Sequence, residues 1–573
     1  MNGTNWILFI LIVQIIHFLG TWKLYVKAGR KAWEAAIPVY NAIILMKIIN
    51  RPKWWVILLF LPIINLLMFP VIWVETIRSF GRNKLWETWA VILTLGFYIY
   101  YVNYALDVKY IEDRSLQPRS GLGEWVSSIV FAVVAATLVH TYFMQPYVIP
   151  TGSLERTLRI GDLLFVSKFH YGARAPMTAV AAPMVHDTLP VVGTKSYLNK
   201  PQIPYFRLPG FTAIERNDIV VFSWPADTVR QFFIKEQGVR KPIDKKSNYV
   251  KRCVGLPGDS LAVRDGIVFI NGKQLELPDR AKPMYDYMVH ANKGVASTAM
   301  QNAGVNEFTR SYMVTNLSEQ QIPVINKYML NFKELPDNKL RVITSSEGFP
   351  VDEVRKYGIN IVEETARQRQ ATMTNEMVTK LRADAGIDSV IRNIIPKGER
   401  RGNLFPQDLD YPNNYSQMSA IYIPKRGATV PLNLKVLPFY KKIIRDYEGH
   451  TIKVTGNQIS LDGKVADSYT FQQDYYWMMG DNRDHSEDSR AWGYVPENHI
   501  VGTPVFIWMS FDNFVDSKQR MNAPWKWKPR WARIFTTVNG EGEPVSYFKY
   551  FLIALVLYFV GDYFWKKRTK SKQ

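Results

Sequence analysis

Four long stretches near the start of this chain are almost free of charge, and a fifth lies near its end. Trp6–Trp22 has no charged residue besides His17, Trp54–Val74 and Trp89–Leu106 have none, and Trp125–Gly152 has only His140. Each is about long enough to cross a hydrocarbon layer of ~30 Å, which takes roughly 20 helical residues. Trp and Tyr mark their ends, as they do at membrane interfaces. Tyr547–Trp565 is a further candidate, with Lys549 and Asp562 near its ends, where they reach headgroups. Ala35–Met46 is too short to span, contains Pro38, and reads as interfacial or re-entrant. A membrane protein with transmembrane helices at both ends is therefore expected. The first stretch lacks the basic start and small-residue cleavage site of a removed signal peptide.

Orientation follows from Lys and Arg, which favour the cytoplasmic side. Lys23, Lys27, Arg30 and Lys31 follow the first span, and the tail KKRTKSKQ follows the last. With both inside, five crossings put the long middle segment outside. Arg78, Arg82 and Lys84 disagree, since this scheme places them outside with Glu75 and Glu87. The formal charge of +21 is spread along the chain without a nucleic-acid motif, so membrane lipid and not nucleic acid is the expected partner. Cys253 is the only cysteine; intramolecular disulfides are excluded, and an oxidising compartment is neither shown nor excluded.

Composition divides the chain. Residues 1–112 form an N-terminal membrane domain of about three helices, and 113–146 a polar linker and the fourth span. In 147–277 and 447–545, short apolar runs alternate with Gly, Pro and Asp, the pattern of a mainly antiparallel β domain. Hairpin signals stand at RDG, NGK and LDGK. Residues 278–446 read as an inserted α/β subdomain, with helical composition in DEVRKYGINIVEETARQRQATMTNEMVTKLRADAG. Residues 546–573 hold the last span and the basic tail.

Two stretches raise chemical questions. Ser153 follows Gly152 in VIPTGSLERTLRIGD, and Lys251 sits in the strand-like NYVKRCVGLPGD next to a second cation, Arg252. A serine after TG is ordinarily a turn residue, and a strand lysine ordinarily faces water at a sheet edge. A serine hydroxyl needs a base, most often histidine. None of the eight histidines stands in a matching local signature. The alternative base is a lysine desolvated so that it loses its proton near neutral pH. On a strand, Tyr249, Lys251 and Cys253 face one side and Val250, Arg252 and Val254 the other.

PTGSLERTLRIGD, ERNDIVVF, YVKRCVGLPGD and GDNRDHSEDSRAWG occur in this order. In that set and order they resemble the motif boxes of bacterial type I signal peptidases, the membrane-bound Ser-Lys proteases that remove signal peptides. The resemblance covers the span before Ser153 and most of the external domain, but not residues 1–112 or most of the insert. It implies Ser153 as nucleophile and Lys251 as general base, with Thr151 and the Ser153 backbone N–H binding the oxyanion. It further implies Ser486 as the hydroxyl that orients the lysine. Asp488 and Arg490 would form a structural ion pair beneath the site, with Asp481 and Arg483 opening the same motif. Ile149, Leu154, Leu158, Tyr249 and Val250 would line shallow pockets for small side chains. Two positions depart from the pattern: Leu154 stands where the family usually has Met, and Arg156 where it usually has Pro.

The three aspartates, one glutamate and one histidine of GDNRDHSEDSR do not fit the Ca²⁺ loop, which needs a glycine at its sixth position and a distant acid. Neither a metal nor another cofactor is expected. The resemblance implies endoproteolysis of exported preproteins after an A-x-A-like site, through an acyl-enzyme, at the outer face of a bacterial cytoplasmic membrane beside the export machinery. Ser153 lies nine residues past Met144, close to the expected bilayer surface. The aromatic residues of Phe514–Trp531 either dip into the interface or pack the β core. The competing reading is a catalytically idle adaptor that binds exported chains, against which the intact Ser153, Lys251 and Ser486 argue. Transport by residues 1–112 has little support, because the spans lack internal acids.

Overall fold

The computed structural model describes residues 3–117, 120–226, 241–337, 339–402, 404–515 and 521–570. The end of the basic tail (571–573) and residues 516–520 of the aromatic stretch lie outside the described residues. Among these, three helices are long and apolar enough to cross a membrane: Ile7–Lys27, Gly121–Phe143 and Phe548–Arg568. The middle helix is capped by Ser120, whose Oγ accepts from the Gly123 N–H. It widens into a π turn at Val139–Phe143 and runs straight into the strand Met144–Val148.

The other two expected spans are broken. Trp54–Val74 divides into Trp55–Phe60 and Ile64–Ser79 around Pro62 and Ile63, the latter at φ +70°. Trp89–Leu106 divides into Leu85–Leu93 and Tyr98–Tyr104, bent by 117°. Gly96, at φ +88°, lies in the bend, and a Cβ there would stand 2.8 Å from the Trp73 ring. Within Ala35–Met46, the stretch read as interfacial or re-entrant, the helix Tyr40–Ile48 begins, and it buries Ile44, Leu45 and Met46 in the core of this unit, with Leu24, Tyr25, Ile77 and Val102. Glu75, also buried, pairs with Arg51 at 3.0 Å and Arg114 at 2.5 Å. The break at Pro62 points toward the β domain: Leu58, Ile64 and Met68 pack on Tyr142 and Ala173, and Ile63 on Ala181 and Tyr197.

The principal sheet of the β domain is antiparallel. Its strands run in the order Met144–Val148, Asp162–Ser167, Ile500–Asp512, Ile219–Ser223, Asn248–Gly255, Tyr475–Met479 and Val495–Pro496. The lysine strand Asn248–Gly255 is thus interior, not an edge. A second sheet holds Ser260–Arg264, Ile267–Ile270 and Lys273–Gln274, closed by hairpins at Asp265–Gly266 and Asn271–Gly272. A third hairpin turns at Asp462–Gly463. All three turns have both central residues at positive φ, as their Asp-Gly and Asn-Gly pairs favour.

Within 278–446 lie two four-stranded antiparallel sheets, Met284–His290 with its neighbours and Arg310–Thr315 with its neighbours. The stretch read as helical is mixed. Helices cover Val351–Lys356 and Asn375–Arg382, while Asn360–Glu364 and Gln368–Thr374 are strands. Gly358, at φ +59°, follows the first helix, and Arg369 and the run Ala371–Thr374 are buried in the second strand, where packing overrides local composition. Met418–Tyr422 pairs with Ser260–Arg264, and Thr429–Pro431 with Ser468–Thr470, so residues 418–446 pack with the β domain.

Candidate active site

Ser153 sits in a single 3-10 turn, Gly152–Leu154, entered from an extended Thr151 at φ −129° and ψ 151°. The turn is pinned from below: Leu154 is 1% exposed, and its carbonyl accepts from the N–H groups of Thr157 and Leu158. From the other side, the Asn482 N–H donates to the Ser153 carbonyl at 3.1 Å, and Asn482 Nδ2 to the Gly152 carbonyl at 3.2 Å.

Lys251 reaches this turn from the interior strand. Its Nζ lies 2.5 Å from Ser153 Oγ and 5.4 Å from the centroid of the Tyr249 ring, and the residue is 2% exposed. Burial lowers its pKa from the ordinary 10.5 to about 8, while Asp488 and Glu487 pull it back upward. Arg252 points the opposite way, into a buried fork on Asp481 with N–O distances of 2.8 and 2.7 Å. Burial alone would raise the Asp481 pKa, but Arg252 holds it below the usual carboxylate range. The other Asp481 contact ties in the serine turn, since Thr157 Oγ1 donates to its Oδ2 at 2.6 Å.

Asp488 and Arg490 form the second buried fork, at 2.9 and 2.8 Å, and Asp488 Oδ2 also accepts the Gly480 N–H. Arg483 takes no part in the Asp481 fork: its carbonyl accepts from Arg490 Nη2 at 2.5 Å, and its Nη1 stands 4.0 Å from Met479 Sδ. Ser486 is buried beside the turn, but its Oγ makes no hydrogen bond. A Cβ added to Gly480 would stand 2.2 Å from that Oγ and 2.5 Å from the Ser153 carbonyl oxygen, so only glycine fits between them.

Of the expected pocket residues, Ile149, Leu154 and Leu158 are in one cluster with Leu164, Ile219, Ile507 and Val538, and Val250 packs against it. Tyr249 stands apart and stacks on Trp224, with ring centroids 4.9 Å apart. No histidine side chain hydrogen-bonds Ser153 among the described residues: His170 bonds Ser167, and His485 bonds Asp286. Sequence reasoning missed three features. These are the pairing of Arg252 with Asp481, the wedge position of Gly480, and the contacts that Met284 and Gly304 make to Asp481 and Arg156. Only the first had a signal, two adjacent cations on a strand whose faces alternate.

A tightly turned serine with a desolvated amine at hydrogen-bond distance is an arrangement for nucleophilic catalysis. The family described as Signal peptidase, peptidase S26, matches residues 122–331 and 420–509, two blocks that contain Ser153, Lys251 and the 480–490 loop. A family of unknown function (DUF5684) matches residues 33–113. The chain is similar to the signal peptidase I of Haemophilus influenzae, 22% identical over 440 residues, which are 75% of this chain and 79% of the relative. It is 23% identical to the signal peptidase I of Buchnera aphidicola subsp. Schizaphis graminum over 387 residues, 68% of this chain and 75% of that one. The signal peptidase I of Rickettsia canadensis is 30% identical over a shorter 166 residues, 29% of this chain and 49% of the relative.

Proposed function

The chain belongs to the signal peptidase family, peptidase S26, and from that premise we propose that it removes signal peptides from exported preproteins with a Ser153–Lys251 dyad. In this reading neutral Lys251 takes the Ser153 proton as Oγ attacks the carbonyl of the scissile bond. The proton passes to the leaving amine, and an acyl-enzyme remains on Ser153. Lys251 then activates the water that releases the signal peptide and frees Ser153. Thr151 and the Ser153 N–H are the proposed oxyanion donors. Ser486, with a buried hydroxyl committed to no other partner, is the proposed orienter of Lys251. Ile149, Leu154, Leu158 and Val250 supply the apolar wall for small residues of an A-x-A-like site. The observation that carries the reading is the 2.5 Å approach of a buried lysine to a serine. Cleavage of a preprotein by the full-length protein tests it: Ser153→Ala and Lys251→Ala should each abolish product while the protein still unfolds cooperatively. Cleavage that survives either change rejects the dyad and leaves the adaptor reading.

The same reading includes an orientation. Three crossings, at Ile7–Lys27, Gly121–Phe143 and Phe548–Arg568, keep the β domain outside and the tail inside, because losing two adjacent crossings changes neither. The segments around Pro62 and Gly96 then enter and leave on the cytoplasmic side. Arg78, Arg82 and Lys84 move inside with Lys23, Lys27, Arg30 and Lys31, which removes the charge conflict of a five-span scheme. The contact of the Pro62 break with Tyr142, at the outer end of the middle helix, supports a re-entrant hairpin.

A further inference from the structure

Arg156, three residues past the nucleophile, has φ +73°. That left-handed conformation is strained for a residue with a Cβ and closed to the proline usual in the family, whose ring fixes φ near −65°. Strain of this kind persists only where the surroundings over-determine it. Here the surroundings come from the insert. Arg156 Nη2 donates to the Gly304 carbonyl at 2.6 Å, between walls of a cleft of about 390 Å³ that includes Leu158 and Thr157 on one side and Ala303, Thr374 and Met377 on the other.

The insert also holds the opposite flank of the turn. The Met284 N–H donates to the Asp481 carbonyl at 2.8 Å, and Met284 pairs in parallel register with Asn482, the residue that binds the Gly152 and Ser153 carbonyls. The Lys282 N–H reaches Thr157 Oγ1 at 3.3 Å, and the Asp286 N–H reaches Asp484 Oδ2 at 2.8 Å. Glu307 of the insert accepts from Asn482 Nδ2 at 3.5 Å. The serine turn is thus gripped through Arg156 on one side and through Asn482 on the other, and both grips end in residues 282–307.

We infer that the insert is a positioning element for the nucleophile, and that Arg156 is the positioning residue through which it clamps the serine turn in its reactive geometry. The inference rests on the Ser153–Lys251 reading. A displacement of about an ångström at a nucleophile costs rate and not affinity, because ground-state binding does not depend on where Oγ points. Arg156 is placed to act on kcat, while Lys251 keeps its own surroundings.

Single-turnover cleavage of a preprotein and of a short peptide by full-length Arg156→Ala, Arg156→Lys and Arg156→Gly proteins tests this. Arg156→Ala should lower the rate at least tenfold on both substrates, with KM within twofold and the acid limb of the pH profile unmoved. Arg156→Lys, which keeps one donor, should recover much of the loss. Arg156→Gly adopts φ +73° without strain but has no clamp, and should stay as slow as Arg156→Ala. Amide hydrogen exchange in the peptide covering 152–158 should quicken in the Ala and Gly proteins and not in the Lys protein. A rate within twofold of wild type for Arg156→Ala overturns the inference, as does an Arg156→Gly protein at wild-type rate or an effect confined to KM. If Ser153→Ala is dead while Arg156→Ala is normal, only the positioning role fails. If Ser153→Ala still cleaves, the dyad itself is wrong.

Discussion

Removing the charge of Glu487 should make this enzyme work at lower pH. Glu487 is exposed at the rim of the site, and with Asp488 it opposes the burial that brings Lys251 from 10.5 to about 8. At pH 7 an amine of pKa about 8 is neutral in about one molecule in ten, against about one in 3,000 for an ordinary lysine. The acid limb of kcat/KM reports this group in the free enzyme and should lie near 8. Glu487→Gln removes one upward pull, so its limb should move to lower pH with the alkaline plateau kept. Asp488 is unsuited to the test, because it also holds Arg490.

The same lysine has a cost that unfolding can measure. An unfolded Lys251 titrates near 10.5 and the folded one near 8, so between these values the unfolded chain binds more protons and stability rises with pH. The destabilisation is complete below about 8, where at ~1.4 kcal/mol per pH unit it amounts to about 3 kcal/mol, and it vanishes above about 10.5. Lys251→Met should therefore be inactive yet melt at a higher temperature than wild type at pH 7, with the gap closing toward pH 10.5. Kinetic profiles and thermal scans in detergent read both effects. A wild-type limb at the ordinary lysine value refutes the reasoning, as does an alkaline shift in Glu487→Gln or a Lys251→Met protein less stable than wild type at pH 7.

Gly480→Ala would drive a Cβ to 2.5 Å from the Ser153 carbonyl and 2.2 Å from Ser486 Oγ, so cleavage should fall by about a hundredfold or more in single-turnover assays, a barrier rise of about 2.7 kcal/mol. Asp481→Ala strands Arg252 in the interior, and thermal unfolding should register a loss of about 3–5 kcal/mol. The double variant Asp481→Leu with Arg252→Met should lose much less, since both charges go together. A cysteine at Lys84 in a Cys253→Ser background should react with an impermeant reagent only after the cells are opened; labelling in intact cells would restore the five-span scheme.

How much of this was legible in the sequence depended on the range over which each feature is determined. The three hairpin turns were readable because Asp-Gly and Asn-Gly set their own backbone. That Ser153 and Lys251 come together was readable because ordered motifs carry them, and the structure sets them 2.5 Å apart. The breaks in two of the expected spans were not: hydropathy counts apolar residues and does not register that the chain breaks its helix at Pro62 and Ile63, or that the Trp73 ring lies against Gly96. The strands at Asn360–Glu364 and Gln368–Thr374 were hidden because their charged residues mimic an exposed helix, and only pairing with Arg310–Thr315 and Met284–His290 decides otherwise. Arg483 opens the same motif as Asp481 but takes no part in its fork. The true partner, Arg252, comes from an adjacent strand of the sheet.

That partnership explains why two cations stand side by side. Consecutive strand residues point to opposite faces, so one strand can deliver Lys251 to Ser153 and Arg252 to Asp481. The two deliveries have opposite electrostatics. Burial lowers the Lys251 pKa more than Asp488 and Glu487 raise it, whereas Arg252 makes a bidentate fork that holds the Asp481 carboxyl below the usual carboxylate range. Asp481 then holds Thr157 of the serine turn, and its neighbour Asn482 holds the Ser153 carbonyl. A buried ion pair is weak evidence for stability, because desolvation offsets most of the attraction. Its use here is geometric: the fork ties the lysine strand to the loop that holds the Ser153 turn. In the proposed dyad Lys251 must be neutral to act as base and so cannot hold its own strand in place by charge; the arginine next to it does so instead.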